Sequence, residues 1–124
     1  MLMNLKIDSK YSGFKTSKGI VYVLVIELED CVLVKVGVTL RSKIEDRVSE
    51  ILVSIWKKYR VFPRLVVKRF SSVVDPYDKE KMLHTRLKEF RYITKHKFSG
   101  STEVFKVDTD TVVHMYDNLV KEAL

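Results

Sequence analysis

The sequence has 124 residues, of which 46% are hydrophobic and 31% charged, a composition typical of one globular domain with its own core. Its 23 Lys and Arg against 16 Asp and Glu give a formal net charge of +7. That excess favours a polyanionic partner only modestly, because many small proteins are basic for no special reason. A single cysteine, Cys31, excludes an internal disulfide and a Cys-rich zinc site, and its apolar surroundings predict a small core residue.

The chain opens with a lysine-rich stretch, and residues 1–18 are predicted to form a basic arm. No low-complexity segment, internal repeat or Gly/Pro-rich linker follows, so residues 19–124 are expected to form a single domain. No apolar run reaches about 18 residues, and the first residues lack the apolar region of a signal peptide. We therefore expect an intracellular, cytoplasmic protein with no membrane contact.

Two valine-rich segments follow, and residues 20–28 and 31–38 predict a hairpin that turns at residues 29–30. With a loop of two or four residues, even positions of the first strand oppose odd positions of the second, and opposed residues share a face. One face then carries only valines and must be buried, whereas the other brings Tyr22 near Lys35 on an otherwise apolar surface. A three-residue loop would separate these two side chains. The valine face consists of Val21, Val23, Val25, Val32, Val34, Val36 and Val38.

The rest of the chain alternates helical and extended patterns. Pro63 indicates that the third strand begins at that point or lies at a sheet edge. An N-cap aspartate and a proline at positions 75–76 predict the start of the second helix. The order is β-β-α-β-α-β-α, a small α+β fold. The predicted elements are a helix at 43–59, a strand at 61–70, a helix from 75 to about 90, a loop at 91–100, a strand at 102–107 and a helix at 109–123.

Tyr22 and Lys35 are the first candidates for chemistry. A tyrosine in a strand is commonly a packing residue, and a lone strand lysine often extends its amine to solvent from a sheet edge. Side by side on an apolar face, however, the cation would favour the phenolate. It would lower the pKa of the tyrosine from about 10 towards a value useful for a general base.

Arg47, Glu80 and His84 are the remaining candidates. Arg47 lies at the margin of the apolar stripe of its helix, where the usual interpretation is a solvated arginine. Glu80 and His84 are spaced i, i+4 and share a helix face, as a surface pair or a tethering hydrogen bond would. The pair is not the HExxH zinc motif, and a single carboxylate with open coordination suits Mg²⁺ or Mn²⁺ at a phosphate. Each residue is weak evidence alone, but their joint order indicates metal-dependent phosphodiester cleavage.

The order of four short motifs resembles that of the GIY-YIG nuclease superfamily, and of its phage-type branch in particular. The resemblance covers residues 19–107 and implies a three-stranded antiparallel sheet flanked by helices, here with an extra short C-terminal strand and helix. It also implies hydrolysis of DNA phosphodiester bonds with one divalent metal. The motifs are Val21-Tyr22-Val23-Leu24, Lys35-Val36-Gly37-Val38-Thr39, Glu80-x-x-x-His84 and Glu103-Val104-Phe105.

The resemblance assigns a role to each candidate. Tyr22 would activate the attacking water, and Lys35, in the place of the second motif's tyrosine, would hold Tyr22 deprotonated. Arg47 would neutralise charge on the phosphate. Glu80 would bind Mg²⁺ or Mn²⁺. His84 would orient Glu80 or touch the phosphate.

The sequence also departs from the family pattern. Gly19-Ile20-Val21 stands in the place of the GIY triplet, with the tyrosine one residue later, and Arg41 is a less well-placed rival to Arg47. The family's late asparagine has no clear counterpart, since Asn118 lies in the last predicted helix. Glu103 could be structural, closing the last strand against Arg91 or a lysine.

Two other functions therefore stay open. The first is a non-catalytic nucleic-acid-binding module on the same fold, which the basic excess and the missing asparagine motivate. The second is a structural or interaction protein in which the polar residues are accidental. For an endonuclease, a monomer would nick DNA and a homodimer could cut both strands. The phage-type resemblance suggests a phage, mobile-element or host-defence role.

Overall fold

A computed structural model describes residues 18–123. The predicted basic arm, apart from Lys18, lies outside the described residues. The strands are β1 (Lys18–Glu27), β2 (Val32–Thr39), β3 (Arg64–Val74) and β4 (Val104–Phe105). The α-helices are α1 (Ile44–Tyr59), α2 (Pro76–Arg86) and α3 (Thr109–Ala123), and short 3₁₀ turns cover Lys88–Phe90 and Ser101–Glu103.

The four strands form one antiparallel sheet in the order β3-β1-β2-β4. This arrangement confirms the predicted α+β fold, with three long strands and a short C-terminal addition. Pro63 directly precedes β3, which lies at an edge of the sheet as the proline indicated. β4 is only two residues long and pairs with Val34 and Lys35 of β2.

The register of the hairpin confirms the predicted parity. Glu27 pairs with Val32, so the loop has four residues, and the Leu28 N–H donates a 2.8 Å hydrogen bond to the Cys31 carbonyl. Tyr22 therefore opposes Gly37. Lys35 opposes Leu24, which is the next pair on the same face of the sheet. Cys31, expected in the core, is only half-buried at this loop.

Each face of the sheet is covered by helices. The valine face packs against α2 and α3, and the Tyr22 face packs against α1 through Ile44, Ile51 and Ile55. Each such fully buried aliphatic side chain contributes roughly 1.5–3 kcal/mol relative to exposure. On the valine face, Val32 is 50% exposed because it lies next to the hairpin loop, and Val38 is only partly buried. Along the described residues, no helix has both the length and the apolar character needed to cross a membrane.

The predicted bounds of α2, β3 and β4 were wrong, and β3 begins at Arg64 rather than at 61 while β4 ends at Phe105 rather than at 107. α2 ends at Arg86 rather than near Phe90, because the Leu87 N–H bonds to both the Leu83 and His84 carbonyls and tightens the last turn. β3 continues to Val74 rather than residue 70, because it pairs along the whole of β1. The last strand begins at 104 rather than 102, since residues 101–103 form a 3₁₀ turn.

Candidate active site

Tyr22, Lys35 and Arg47 meet on the α1 side of the sheet. Tyr22 on β1 and Lys35 on β2 are both 0% exposed, and Arg47 lies in the first turns of α1. The Arg47 Nε donates to the Tyr22 hydroxyl at 3.4 Å, and the Lys35 Nζ lies 5.8 Å from the centroid of the Tyr22 ring. Three residues from separate elements, each predicted from the sequence, are thus brought together.

Gly37 makes room for the phenol of Tyr22. A Cβ atom at Gly37 would lie 2.5 Å from the Tyr22 hydroxyl oxygen and 3.1 Å from the Lys35 Nζ. The hydroxyl therefore lies directly over the β2 backbone, a close approach that a side chain at this position would block.

The expected lowering of the Tyr22 pKa was wrong in direction. Burial raises the pKa of Tyr22, and the opposing influence comes from the hydrogen bond and charge of Arg47. Burial also lowers the pKa of Lys35, an effect that the carboxylate of Glu103 opposes. The cation that favours the phenolate is therefore Arg47, while Lys35 has a carboxylate partner of its own.

That partner lies in the turn after the basic loop. The Lys35 Nζ donates to the Glu103 Oε1 at 2.7 Å and to the Gly100 carbonyl at 3.3 Å. The sequence allows Glu103 to close the last strand against Arg91 or a lysine, and in the structure its partner is Lys35. Gly100 has φ 83°, and a Cβ atom there would lie 2.6 Å from the Lys35 Nζ. Only glycine combines this left-handed conformation with so close an approach.

Arg47 is held by side chains on both sides. Its Nη1 donates at 2.8 Å to the Glu50 Oε1 and at 2.8 Å to the Ser99 Oγ. The Ser99 N–H in turn donates to the Ser54 Oγ at 2.7 Å, so α1 and the basic loop fix the guanidinium together. Arg41, the rival to Arg47, is exposed and pairs with Glu50 from outside.

No pattern in the sequence predicts that Ser99 and Gly100 contact the candidate site. A serine in a basic loop has no distinguishing pattern, and only the glycine beside it hinted at a tight turn. Their contacts with Arg47 and Lys35 span 52 and 65 residues of chain, a separation that no local motif reports. Asn118, by contrast, is exposed on α3 and contacts His114.

Glu80, His84 and Glu103 form a second group at the site. Each offers one potential ligand atom, and these atoms all lie within 4.8 Å of one another. Burial and the negative charge of Glu103 raise the pKa of Glu80 to about 7, although the charge of Lys35 opposes this rise. A cation bound between the two carboxylates would remove this repulsion.

His84 is oriented by the backbone of β2. Its Nε2 lies 2.7 Å from the Val36 carbonyl, and because a carbonyl only accepts, the Nε2 carries the proton. Burial lowers the pKa of His84, which favours the neutral ring and leaves the Nδ1 lone pair as an acceptor. A ring N–H donated to a backbone carbonyl is the usual arrangement of a metal-binding histidine. Two carboxylates and one imidazole can hold Mg²⁺, and Mn²⁺ accepts the nitrogen more readily.

Comparison with protein families identifies the family to which the chain belongs. The T5orf172 domain model matches residues 19–120, which include every candidate residue named above, and the chain belongs to this family. The T5orf172 domain is phage-associated and is often linked to endonuclease activity. No curated protein and no solved structure gives a significant match to the chain.

Proposed function

We propose that the protein is a divalent-metal-dependent endonuclease of the GIY-YIG type that hydrolyses DNA phosphodiester bonds. The observation that carries the proposal is the convergence of Tyr22, Lys35 and Arg47 beside the group formed by Glu80, His84 and Glu103. A base, two cations and an oxygen-rich metal site are the parts that phosphodiester hydrolysis needs. The formal net charge of +7 suits a DNA substrate.

Arg47 is the group best placed to bind the scissile phosphate. It is 18% exposed, and its Nη1 is already committed to Glu50 and Ser99, so the guanidinium is fixed before substrate arrives. A fixed guanidinium stabilises the charge that develops on the phosphate without reorganising during the reaction.

Tyr22 accepts the proton of the attacking water in this proposal. Its burial opposes ionisation, so the phenolate depends on nearby positive charge, which Arg47 supplies through its hydrogen bond. Lys35, fixed by Glu103 and Gly100, adds a second cation next to the ring. Glu80, with Glu103 and His84 as further ligands, would hold Mg²⁺ or Mn²⁺, which would supply Lewis-acid stabilisation of the leaving oxygen.

The test is cleavage of supercoiled plasmid in Mg²⁺ or Mn²⁺ by wild type, Glu80→Gln and Arg47→Lys. We expect each substitution to lower the rate by about 100-fold or more, because each removes charge or geometry realised in the transition state. Glu89→Gln and Arg64→Lys are the matched controls, since both residues are exposed elsewhere on the fold. Wild-type rates in Glu80→Gln would contradict the proposal. Salt-dependent DNA binding with no cleavage in either metal would instead favour the non-catalytic module.

A further inference from the structure

A cavity lies beside the 3₁₀ turn at Ser101–Glu103, whose Glu103 contacts Lys35. Its volume is about 330 Å³, and its lining includes two cations, Arg91 and Lys97, and three Ser/Thr hydroxyl residues, Thr94, Ser101 and Thr102. Tyr92 and Ile93 add apolar surface to the same cavity. This mixture of positive charge, hydroxyl donors and apolar wall matches a nucleotide, with its phosphate, sugar and base.

The cavity shares a wall with the candidate active site. Ser101 and Thr102 lie in sequence between Gly100 and Glu103, the two residues that contact the Lys35 Nζ. Consecutive Cα atoms are about 3.8 Å apart, and one DNA strand advances about 3.4 Å along the helix axis per phosphate. The cavity therefore lies within a few nucleotides of the phosphate that Arg47 and Lys35 would hold.

The cations of the cavity are available to an incoming phosphate. Within residues 18–123, neither Arg91 nor Lys97 makes a salt bridge. The Arg91 guanidinium stands 6.0 Å from the centroid of the Phe105 ring, a cation–π contact that occupies none of its N–H groups as hydrogen-bond donors. Ile93 is 89% exposed and lines the cavity, so it offers apolar surface to a bound sugar or base.

We propose that this cavity is a flanking-nucleotide subsite, which binds a nucleotide of the DNA strand next to the scissile phosphate. Arg91 and Lys97 bind its phosphate, Thr102 donates a hydroxyl hydrogen bond, and Ile93 packs against its sugar or base. The location of the scissile phosphate rests on the proposed function, but binding of DNA in the subsite does not require cleavage. The 3₁₀ turn at Ser101–Glu103 would thus position the substrate on one side and Lys35 on the other.

The first experiment measures DNA binding by fluorescence anisotropy in EDTA, which excludes cleavage. The double variant Arg91→Ala/Lys97→Ala is compared with Arg64→Ala/Lys68→Ala on β3, the opposite edge of the sheet. Both double variants remove two positive charges, so they separate a specific site from a general charge effect. We expect the subsite variant to weaken binding about 10-fold more than the control, and to reduce the slope of log K against log salt by up to about two. Equal losses in both variants would overturn the subsite.

The second experiment protects the test against misfolding and locates the nucleotide directly. Because Arg91 also contacts Phe105, Lys97→Ala is measured alone against Lys68→Ala, and both exposed lysines can be replaced without loss of a described salt bridge. An oligonucleotide carrying 5-iododeoxyuridine is then crosslinked to the wild type, and we expect labelled peptides from residues 91–102. Crosslinks confined to other segments would contradict the proposal. Glu80→Gln, assayed in parallel, tests cleavage separately, so either proposal can fail without the other.

Discussion

Two buried tyrosines lie on opposite faces of the sheet, and their surroundings give them different roles. The Tyr116 hydroxyl donates a 2.8 Å hydrogen bond to the Val21 carbonyl, so it satisfies a buried backbone acceptor. The Tyr22 hydroxyl instead receives a long hydrogen bond from Arg47 and faces charged groups. Tyr116 therefore contributes to stability, whereas the surroundings of Tyr22 suit the base of the proposed reaction.

We predict that Tyr22→Phe lowers the rate of plasmid cleavage by about 100-fold or more, because the proton acceptor is lost. Its free energy of unfolding should change by less than about 1 kcal/mol, since only a long hydrogen bond is removed. Tyr116→Phe is the matched control and should show the reverse, losing about 1–2 kcal/mol of stability while keeping its cleavage rate. Urea unfolding and cleavage assays on both variants make the comparison. Comparable cleavage by Tyr22→Phe and wild type would exclude Tyr22 as the base.

For single residues, the sequence predicted the sheet face of a side chain better than the direction of its pKa shift. The alternation of valines determines which face each strand residue occupies, so the meeting of Tyr22 and Lys35 could be predicted from parity alone. The direction of the Tyr22 pKa shift could not, because it depends on burial and on the distance to Arg47. Both are properties of the folded molecule rather than of spacing.

Among the elements, α2 brings one carboxylate of the candidate site close to another. It places Glu80 beside Glu103, whose charge adds to burial in raising the pKa of Glu80 to about 7 from its ordinary value of 4.5. Because the folded-state pKa is raised, the fold favours the protonated carboxyl. The stabilisation that Glu80 provides is complete below about pH 4.5 and is lost as the pH rises through about 7.

We predict that the free energy of unfolding of metal-free wild type falls between about pH 5 and about pH 8. After the change measured for Glu80→Gln is subtracted, the fall should be about 1–2 kcal/mol. This range reduces the full value of the pKa shift for solvent screening at a half-buried group. Urea unfolding of both proteins at both pH values in EDTA measures the difference. Mg²⁺ or Mn²⁺ at the higher pH should then stabilise wild type more than Glu80→Gln, because the variant lacks one carboxylate of the proposed ligand set. A pH-independent difference would show that Glu80 ionises normally.

The helices and long strands were predictable from their periodicity, but the turn that joins the site was not. α1 followed its apolar stripe closely, with Ile51 and Ile55 on the buried face. The contacts of Ser99 and Gly100 depend instead on how the loop at 91–100 returns to α1 and β2. In the folded chain Phe98 of this loop is buried in the same cluster as Ile51 and Ile55, a long-range contact that the local sequence does not report.

For the whole molecule, the number of active sites determines the expected product. Residues 18–123 contain one copy of the site, built from β1, β2, α1, α2 and the turn before β4. The scissile phosphates of duplex DNA lie on strands of opposite direction, so one site in one orientation serves one strand per encounter. A second cut requires a second copy related by a two-fold axis, or a new encounter.

We therefore predict that a monomer converts supercoiled plasmid to the nicked circle first, and that linear DNA appears only after a lag. The initial nicking rate should rise in proportion to enzyme concentration, because each event needs one molecule. Gel analysis of a time course at several enzyme concentrations measures both quantities, and analytical ultracentrifugation gives the oligomeric state under the same conditions. The control is a mixture of wild type with excess Glu80→Gln. If the enzyme acts as a dimer, the inactive copies would suppress the linear product. If it acts as a monomer, nicking would be unaffected at low DNA occupancy. Linear DNA formed without a nicked intermediate would contradict the prediction and show that two copies act together.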